Sequence, residues 1–266
     1  MAYLSAKHIA VKKDQDRVAH MTNKLVLCDG IGEFVDSAKA AELTIKNILF
    51  SERKSEIMTY VDESANEIVE KNIVGGTTLI SACIDRIEEV ESLTIAYIGN
   101  GSVFHLNGDF FELPSSYNDS NRPYRFSNLM VPNVDKEGVL LRHISHHSSR
   151  EELIPSFIEL SLTGCNGDII LLFTDGISSL EEDIIVVDDQ QRIWRNQSEN
   201  VSTILNDLHE WLKNNHAVIS QEKLDQFLEL ELTKLKNMKK LEDDASIGII
   251  FTDAVLDYYK KTYHAI

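Results

Sequence analysis

Basic side chains are in short supply: 26 Lys and Arg stand against 43 Asp and Glu in 266 residues, a formal net charge of −17. Nucleic acid and anionic membrane surfaces are therefore not expected partners, because the electrostatic attraction that dominates such binding would here be repulsion. Cysteine is equally sparse. Cys28, Cys83 and Cys165 are far apart and form no zinc or redox-dithiol spacing. Cys28 and Cys83 lie in apolar, strand-like segments, as expected of small buried side chains in a reducing compartment. Only four prolines interrupt a chain that is 43% apolar, which argues for a compact globular protein. No apolar run reaches the length of a membrane span. The N-terminal MAYLSAKHIAVKK lacks the apolar centre of a secretory signal, so a cytoplasmic location is expected.

Several catalytic signatures are also missing. A cysteine-dependent phosphatase needs Cys-x5-Arg, yet Phe34, Glu89 and Leu171 occupy the sixth position after the three cysteines. GISSL at Gly176 is not a Gly-x-Ser-x-Gly elbow, no Gly-Lys-Ser/Thr phosphate loop occurs, and HEWLK at His209 is not His-Glu-x-x-His. Asp14-Gln15-Asp16 runs into Val18 without the ligands and glycine of an EF-hand.

What is present is a pair of short apolar runs that each end in Asp-Gly. Ile169 to Phe173 lead through Thr174 to Asp175-Gly176, and Leu25 to Cys28 lead to Asp29-Gly30. Such runs read as buried strands. A carboxylate at a strand end is presented at the sheet edge, and the glycine lets the backbone turn or approach another group closely. Two further acidic positions share this setting: Asp16 follows the extended-looking His8 to Lys13, and Asp243-Asp244 precede the apolar Ala245 to Phe251. Period-two alternation from His8 places Lys12, Asp14 and Asp16 on one face.

Between these points the pattern changes to helical spacing. Phe34, Ala38, Ala41, Ile45, Ile48 and Leu49 predict one helix, and Ile57, Tyr60, Val61, Ala65 and Ile68 a second. Thr77 to Ile84 and Leu93 to Ile98 predict strands, then a turn at Gly99-Asn100-Gly101-Ser102 leads into Val103 to Leu106. Asn107-Gly108 is a hairpin signal before Phe110 to Leu113. Residues 114–150 read as a long surface excursion. His143 and His147 within it would share a helix face as metal ligands, but without other matching ligands a solvated loop is the expectation. Ile154 to Leu162 predict a strand. Two helices follow, around Val201 to Leu212 with Ser198 as N-cap and around Leu224 to Leu235, and residues 253–266 read as a short tail. Strands clustered with paired helices predict α+β layers around a mainly antiparallel sheet system.

If Asp16, Asp29, Asp175 and Asp243 converge, one pair of carboxylates at 4 Å repels by ~4 kcal/mol at an effective dielectric near 20. No matching set of arginines accompanies them. Divalent cations are the natural compensation, because Asp carboxylates and a backbone carbonyl such as that of Gly30 are hard oxygen ligands for Mg²⁺ or Mn²⁺. Two such ions ~3.5 to 4 Å apart activate a water and clamp phosphate oxygens. The chemistry this points to is metal-assisted phosphoester hydrolysis.

These segments resemble, in order, the motifs of the metal-dependent Ser/Thr protein phosphatases of type 2C, above all the bacterial members. DQD at Asp14 to Asp16 is similar to "NED" or "NQD", LVLCDGIG to "VADGMGG", and GGTTL at Gly75 to "GTT/GST". YIGNGSVFHL resembles "NVGDSRAYL", DIILLFTDGISS resembles "DLLLLCSDGL", and DDASIGII resembles "DNATVVVV". The resemblance runs from about residue 7 to 252. It implies one domain over residues 1–266, an αββα sandwich of two antiparallel sheets flanked by helix pairs, with 114–150 as a flap-like insertion. It also implies two ions, Mg²⁺ or Mn²⁺, with Asp29 bridging them, Gly30 giving a carbonyl, Asp175 and Asp243 completing the second position, and Asp16 acting through a coordinated water. The implied activity is hydrolysis of phosphoserine or phosphothreonine in protein substrates.

Four departures accompany the resemblance. Val11 falls near the arginine that commonly binds substrate phosphate, leaving Lys12 as the expected substitute, and Glu33 replaces the second glycine of "DGxGG". Asn100 stands where the family has the aspartate of "GDS", the position tied to a third metal, and residues 114–150 differ from the usual flap. The alternative expectation is a pseudophosphatase that keeps the fold and binds a phosphoprotein or regulates a partner.

Overall fold

The computed structural model describes residues 2–32, 34–51, 53–87, 90–107, 127–177, 185–187, 193–195 and 199–263. In chain order the first half contains β1 (Ala2–Ile9), β2 (Arg17–His20), β3 (Lys24–Cys28), α1 (Ser37–Ile48), α2 (Lys54–Glu70), β4 (Gly76–Thr77), β5 (Leu79–Ile87), β6 (Val90–Ile98), β7 (Ser102–Asn107) and β8 (Ser127–Asn128). The second half contains β9 (Ile144–Ser145), β10 (Ser156–Ser161), β11 (Asp168–Phe173), β12 (Ile185–Val187), β13 (Ile193–Arg195), α3 (Glu199–Asn215), α4 (Gln221–Asn237), β14 (Ala245–Thr252) and α5 (Asp253–Tyr263).

Two five-stranded antiparallel sheets form, in the orders β1-β14-β11-β7-β8 and β10-β6-β5-β3-β2. Alternate residues of each strand point to opposite faces. Leu25, Leu27, Ile80 and Ile95 of one sheet meet Leu4, Val103, Ile170, Leu172 and Ile250 of the other in the central layer. Val26, Cys28, Leu79 and Ala96 face α1 and α2 on one outer side, while Phe104, Leu171, Ile249 and Phe251 face α3, α4 and α5 on the other. Both faces of the inner strands are thus covered, which is why β3, β11 and β14 are mostly apolar and are buried at every position. The expected αββα arrangement is present. Among the described residues no helix is long and apolar enough to cross a membrane. Cys28 and Cys83 are buried and Cys165 is exposed, all three as free thiols.

Several local expectations need correction. The extended segment His8 to Lys13 is a strand only to Ile9, where β1 stops pairing with β14 at Ile9↔Ala245. Beyond that point the Asp244 carboxylate accepts from the backbone N–H groups of Val11, Lys12 and Gln15 and curls residues 10–16 into a loop. Lys12, Asp14 and Asp16 therefore do not share a face: Asp16 is fully buried, Lys12 is exposed, and Asp14 takes φ 54°. The strand β2 had no signal of its own. His143 and His147 do not lie on a helix, because Ile144–Ser145 pair with Gly76–Thr77 and bury Ile144 in the core. Residues 127–150 are tied down by this ladder, by β8 on β7, and by a Val134↔Leu140 bridge. The tail from residue 253 is instead the helix α5, which buries Val255 and Tyr259. Between Asp175 and the last strand, β12 and β13 accompany the two expected helices. The hairpin at Gly108, the strand Phe110 to Leu113, Glu33 and the Ser198 cap lie outside the described residues.

Candidate metal centre

Topology alone brings the acidic positions to one end of the sandwich. In one sheet β2 and β3 are antiparallel neighbours with Arg17 opposite Cys28, so Asp16 before β2 lies beside Asp29 after β3. In the other, β11 and β14 pair with Phe173 opposite Ile247, so Asp175 after β11 lies beside Asp243-Asp244 before β14. Stacking the sheets then joins the two pairs.

The joining contacts are specific. Asp16 Oδ2 accepts from Thr174 Oγ1 at 3.0 Å and from Ser246 Oγ at 2.7 Å, linking the first sheet's loop to the strand ends of the second. The Asp29 carboxyl is within hydrogen-bonding reach of both Asp16 and Asp175. Its main chain is fixed by Thr78, whose N–H donates to Asp29 O at 2.8 Å, and by Thr77 Oγ1 at 2.9 Å. Asp175 Oδ2 accepts from Asn100 Nδ2 at 2.7 Å. Asp243 sits at the rim, with its Oδ2 3.3 Å from Lys12 Nζ. Arg17 Nη1 is turned away to the carbonyls of Asp14 and Asp16.

The two glycines permit this convergence. A Cβ on Gly30 would lie 2.7 Å from Gln15 Cβ, and one on Gly176 would lie 2.1 Å from Asp244 O. Each Asp-Gly glycine is thus the surface against which another acidic segment packs.

The electrostatics are those of carboxyls crowded away from water. Burial raises Asp16 to about 6. Asp29 is pushed well above the usual carboxylate range by burial and then by the charges of Asp16 and Asp175. Asp175 is also raised, by burial first and by Asp243, against the opposing hydrogen bonds from Asp29 and Asn100. Carboxylates in mutual contact need a proton or a cation between them. Asp16 Oδ1 and Asn100 Oδ1 are buried acceptors with no donor among the described residues. All-oxygen donors, unmatched acceptors and excess negative charge together fit a hard divalent cation. Among the described residues no three His, Cys, Asp or Glu side chains form a ready-made cage. That is compatible with Mg²⁺-type sites, which commonly use one or two carboxylates and keep several waters.

Asp244, Thr174 and Ser246 were not singled out from the sequence as positioning groups. The doubled Asp243-Asp244 could not reveal which member faces the loop, whereas Thr174 and Ser246 lie inside the recognised motifs DIILLFTDGISS and DDASIGII. Asp244 is buried, and although burial pushes its pKa up, the N–H groups of Gln15, Val11, Lys12 and Lys13 outweigh this and hold it below its ordinary value. Its stabilisation is present above the unfolded carboxyl pKa and is lost as pH falls through the folded value. Asp244→Asn is expected to cost about 1 to 2 kcal/mol at neutral pH and to flatten the acid side of the stability profile. Urea unfolding between pH 3 and 7 checks this; an unchanged profile contradicts the clasp.

Solved structures with this architecture are known. A serine/threonine phosphatase from S. agalactiae superposes with TM-score 0.62 at 13% identity over 94% of this chain and 99% of that one. The Mycobacterium tuberculosis phosphatase PstP/Ppp gives 0.58 at 14% over 94% and 97%. The fold is that of the PPM serine/threonine phosphatases. A PstP catalytic domain with this fold, determined in complex with two manganese ions, matches at TM-score 0.58 and 16% identity over 95% of this chain and 99% of its own. No protein-family model and no curated protein matches the chain in sequence. Within the PPM fold, the Asp-Gly pairs of this chain occupy the strand ends described above.

Proposed function

We propose that the chain is a cytoplasmic, metal-dependent hydrolase of phosphoserine and phosphothreonine in proteins, with Asp16, Asp29, Gly30, Asp175 and Asp243 holding two Mg²⁺ or Mn²⁺ ions. The observation that carries this reading is the contact of Asp29 with both Asp16 and Asp175 beside a donorless Asp16 Oδ1. In a PPM fold, that is a concentration of charge in want of cations. Bound there, the ions would supply an activated water and neutralise phosphate charge.

The chain's own residues have separable parts in this scheme. Asp29, in reach of both Asp16 and Asp175, would hold the ions together with them. Asp16 is oriented by Thr174 and Ser246, so that its free Oδ1 is available to the centre. Asp175 is oriented by Asn100. Lys12 is the cation placed to meet substrate phosphate: its pairing with Asp243 joins two side chains that are each more than half exposed. An ion pair of that kind is worth little and is readily exchanged for a phosphate. The substrate is a phosphorylated protein, and the net charge of −17 disfavours nucleic acid and anionic membranes.

A second reading, a phosphoprotein-binding pseudophosphatase, is favoured by one observation: the nearby Arg17 guanidinium is spent on main-chain carbonyls, leaving Lys12 as the cation at the rim. Hydrolysis of a phosphothreonine peptide with Mn²⁺, Mg²⁺ or chelator separates the two. The expected result is metal-dependent turnover that falls at least about 10³-fold in Asp29→Asn and Asp175→Asn, as a lost ion would require. Folded protein that binds the phosphopeptide without turning it over establishes the second reading instead.

A further inference from the structure

Asn100 occupies the tip of the turn between β6 and β7, flanked by Gly99 at φ 103° and Gly101 at φ 117°. The turn is anchored from outside, since Gly99 N donates to Asn133 Oδ1 at 3.1 Å and Gly99 O accepts from Asn133 N at 2.8 Å. Asn100 is only 8% exposed. Its two amide atoms have opposite fates. Nδ2 donates to Asp175 Oδ2 at 2.7 Å, and Oδ1 is buried with no donor among the described residues. Turning the amide over would set an oxygen against the Asp175 carboxylate, so the donor must face Asp175. A buried amide oxygen left without a donor carries a desolvation penalty. That penalty is relieved if a cation or one of its waters reaches the oxygen.

We propose that Asn100 is a positioning residue of the metal centre: its N–H₂ holds Oδ2 of Asp175 and so fixes how that carboxylate is presented to an ion, and its carbonyl oxygen gives that ion's hydration shell a neutral acceptor. The proposal rests on the metal-dependent reading above. It assigns to the amide a part that an aspartate at this position could not play. Without ions, a carboxylate facing Asp175 Oδ2 at this distance repels it. With ions, the same carboxylate adds a charged ligand. Asn100 therefore trades ion affinity for a centre that tolerates the ion-free state.

Calorimetric titration with Mn²⁺ and thermal melting in chelator, applied to wild type, Asn100→Ala and Asn100→Asp, test this. Asn100→Ala is expected to weaken Mn²⁺ binding about tenfold, the usual cost of losing a group that orients a ligand. Asn100→Asp is expected to melt below wild type in chelator and to bind Mn²⁺ more tightly. This opposite movement of two readouts is not produced by a merely structural turn residue. Mn²⁺ affinity within twofold of wild type in folded Asn100→Ala overturns the proposal. So does Asn100→Asp melting at or above wild type in chelator, which keeps the test available if the alanine variant does not fold. Wild type that takes up no Mn²⁺ overturns both the proposal and the metal-dependent reading, whereas normal wild-type uptake with unresponsive variants overturns the Asn100 role alone.

Discussion

Asp29→Asn is expected to melt higher than wild type in chelator at pH 7.5, by roughly 4 to 8 °C, and to lose the stabilisation that Mn²⁺ confers on wild type. The sign follows from the pKa directions. Asp16, Asp29 and Asp175 are all raised in the folded protein, Asp16 to about 6. The native state therefore holds protons that the unfolded chain releases near pH 4, and the stability of the ion-free protein falls as pH rises through the folded values. At pH 7.5 folding must either supply protons to the cluster or hold its charges together, and both are unfavourable. Replacing the central carboxyl by an amide returns on the order of 2 kcal/mol, which corresponds to the stated shift for a chain of this size. Wild type gains from Mn²⁺ by mass action, about 2.7 kcal/mol at a hundredfold excess over the dissociation constant. A variant that melts lower in chelator, or that still responds fully to Mn²⁺, contradicts the charge-crowding account.

Gly176→Ala is expected to be the most damaging single-methyl change at the site. The added carbon would lie 2.1 Å from Asp244 O, 3.0 Å from its carbonyl carbon and 3.2 Å from Ala245 Cα, all backbone atoms that no rotamer change can move. Relief requires the Asp175-Gly176 turn and the Asp243-Asp244 segment to separate. The expected cost is about 3 kcal/mol in stability, with phosphopeptide kcat/KM falling about 100-fold because ligands misplaced by about an ångström no longer share an ion correctly. Gly32→Ala is the contrast, since its methyl would meet nothing nearer than Gln15 Oε1 at 3.8 Å. Equal behaviour of the two variants in urea unfolding and steady-state kinetics contradicts the close-approach argument.

The parts of this molecule that could be read in advance are those dictated by short-range rules. Leu25 to Cys28, Ile169 to Phe173 and Ala245 to Phe251 declare themselves as buried strands, and α1 to α4 declare themselves by their apolar stripes. Asp29 and Asp175 follow as strand-end carboxylates. Other features depend on partners remote in sequence. Residues 10–16 leave the strand because Asp244 captures their N–H groups, a contact spanning more than 220 positions. Asp16 is placed by hydroxyls on two strands of the opposite sheet. His143 to His147 have helical spacing, but the two-residue ladder to Gly76–Thr77 overrides it. The helix α5 was hidden because its stripe is short: only Val255 and Tyr259 are buried, among lysines and tyrosines that read as a polar tail.

The most direct measurement is a titration of chelator-treated protein with Mn²⁺, in which bound ion and phosphothreonine-peptide turnover are recorded in the same samples. The expected result is turnover that is absent without ion, rises with occupancy and levels off at two ions per chain. Turnover that persists in chelator, or two bound ions with no hydrolysis of any phosphopeptide, would contradict a metal-dependent protein phosphatase.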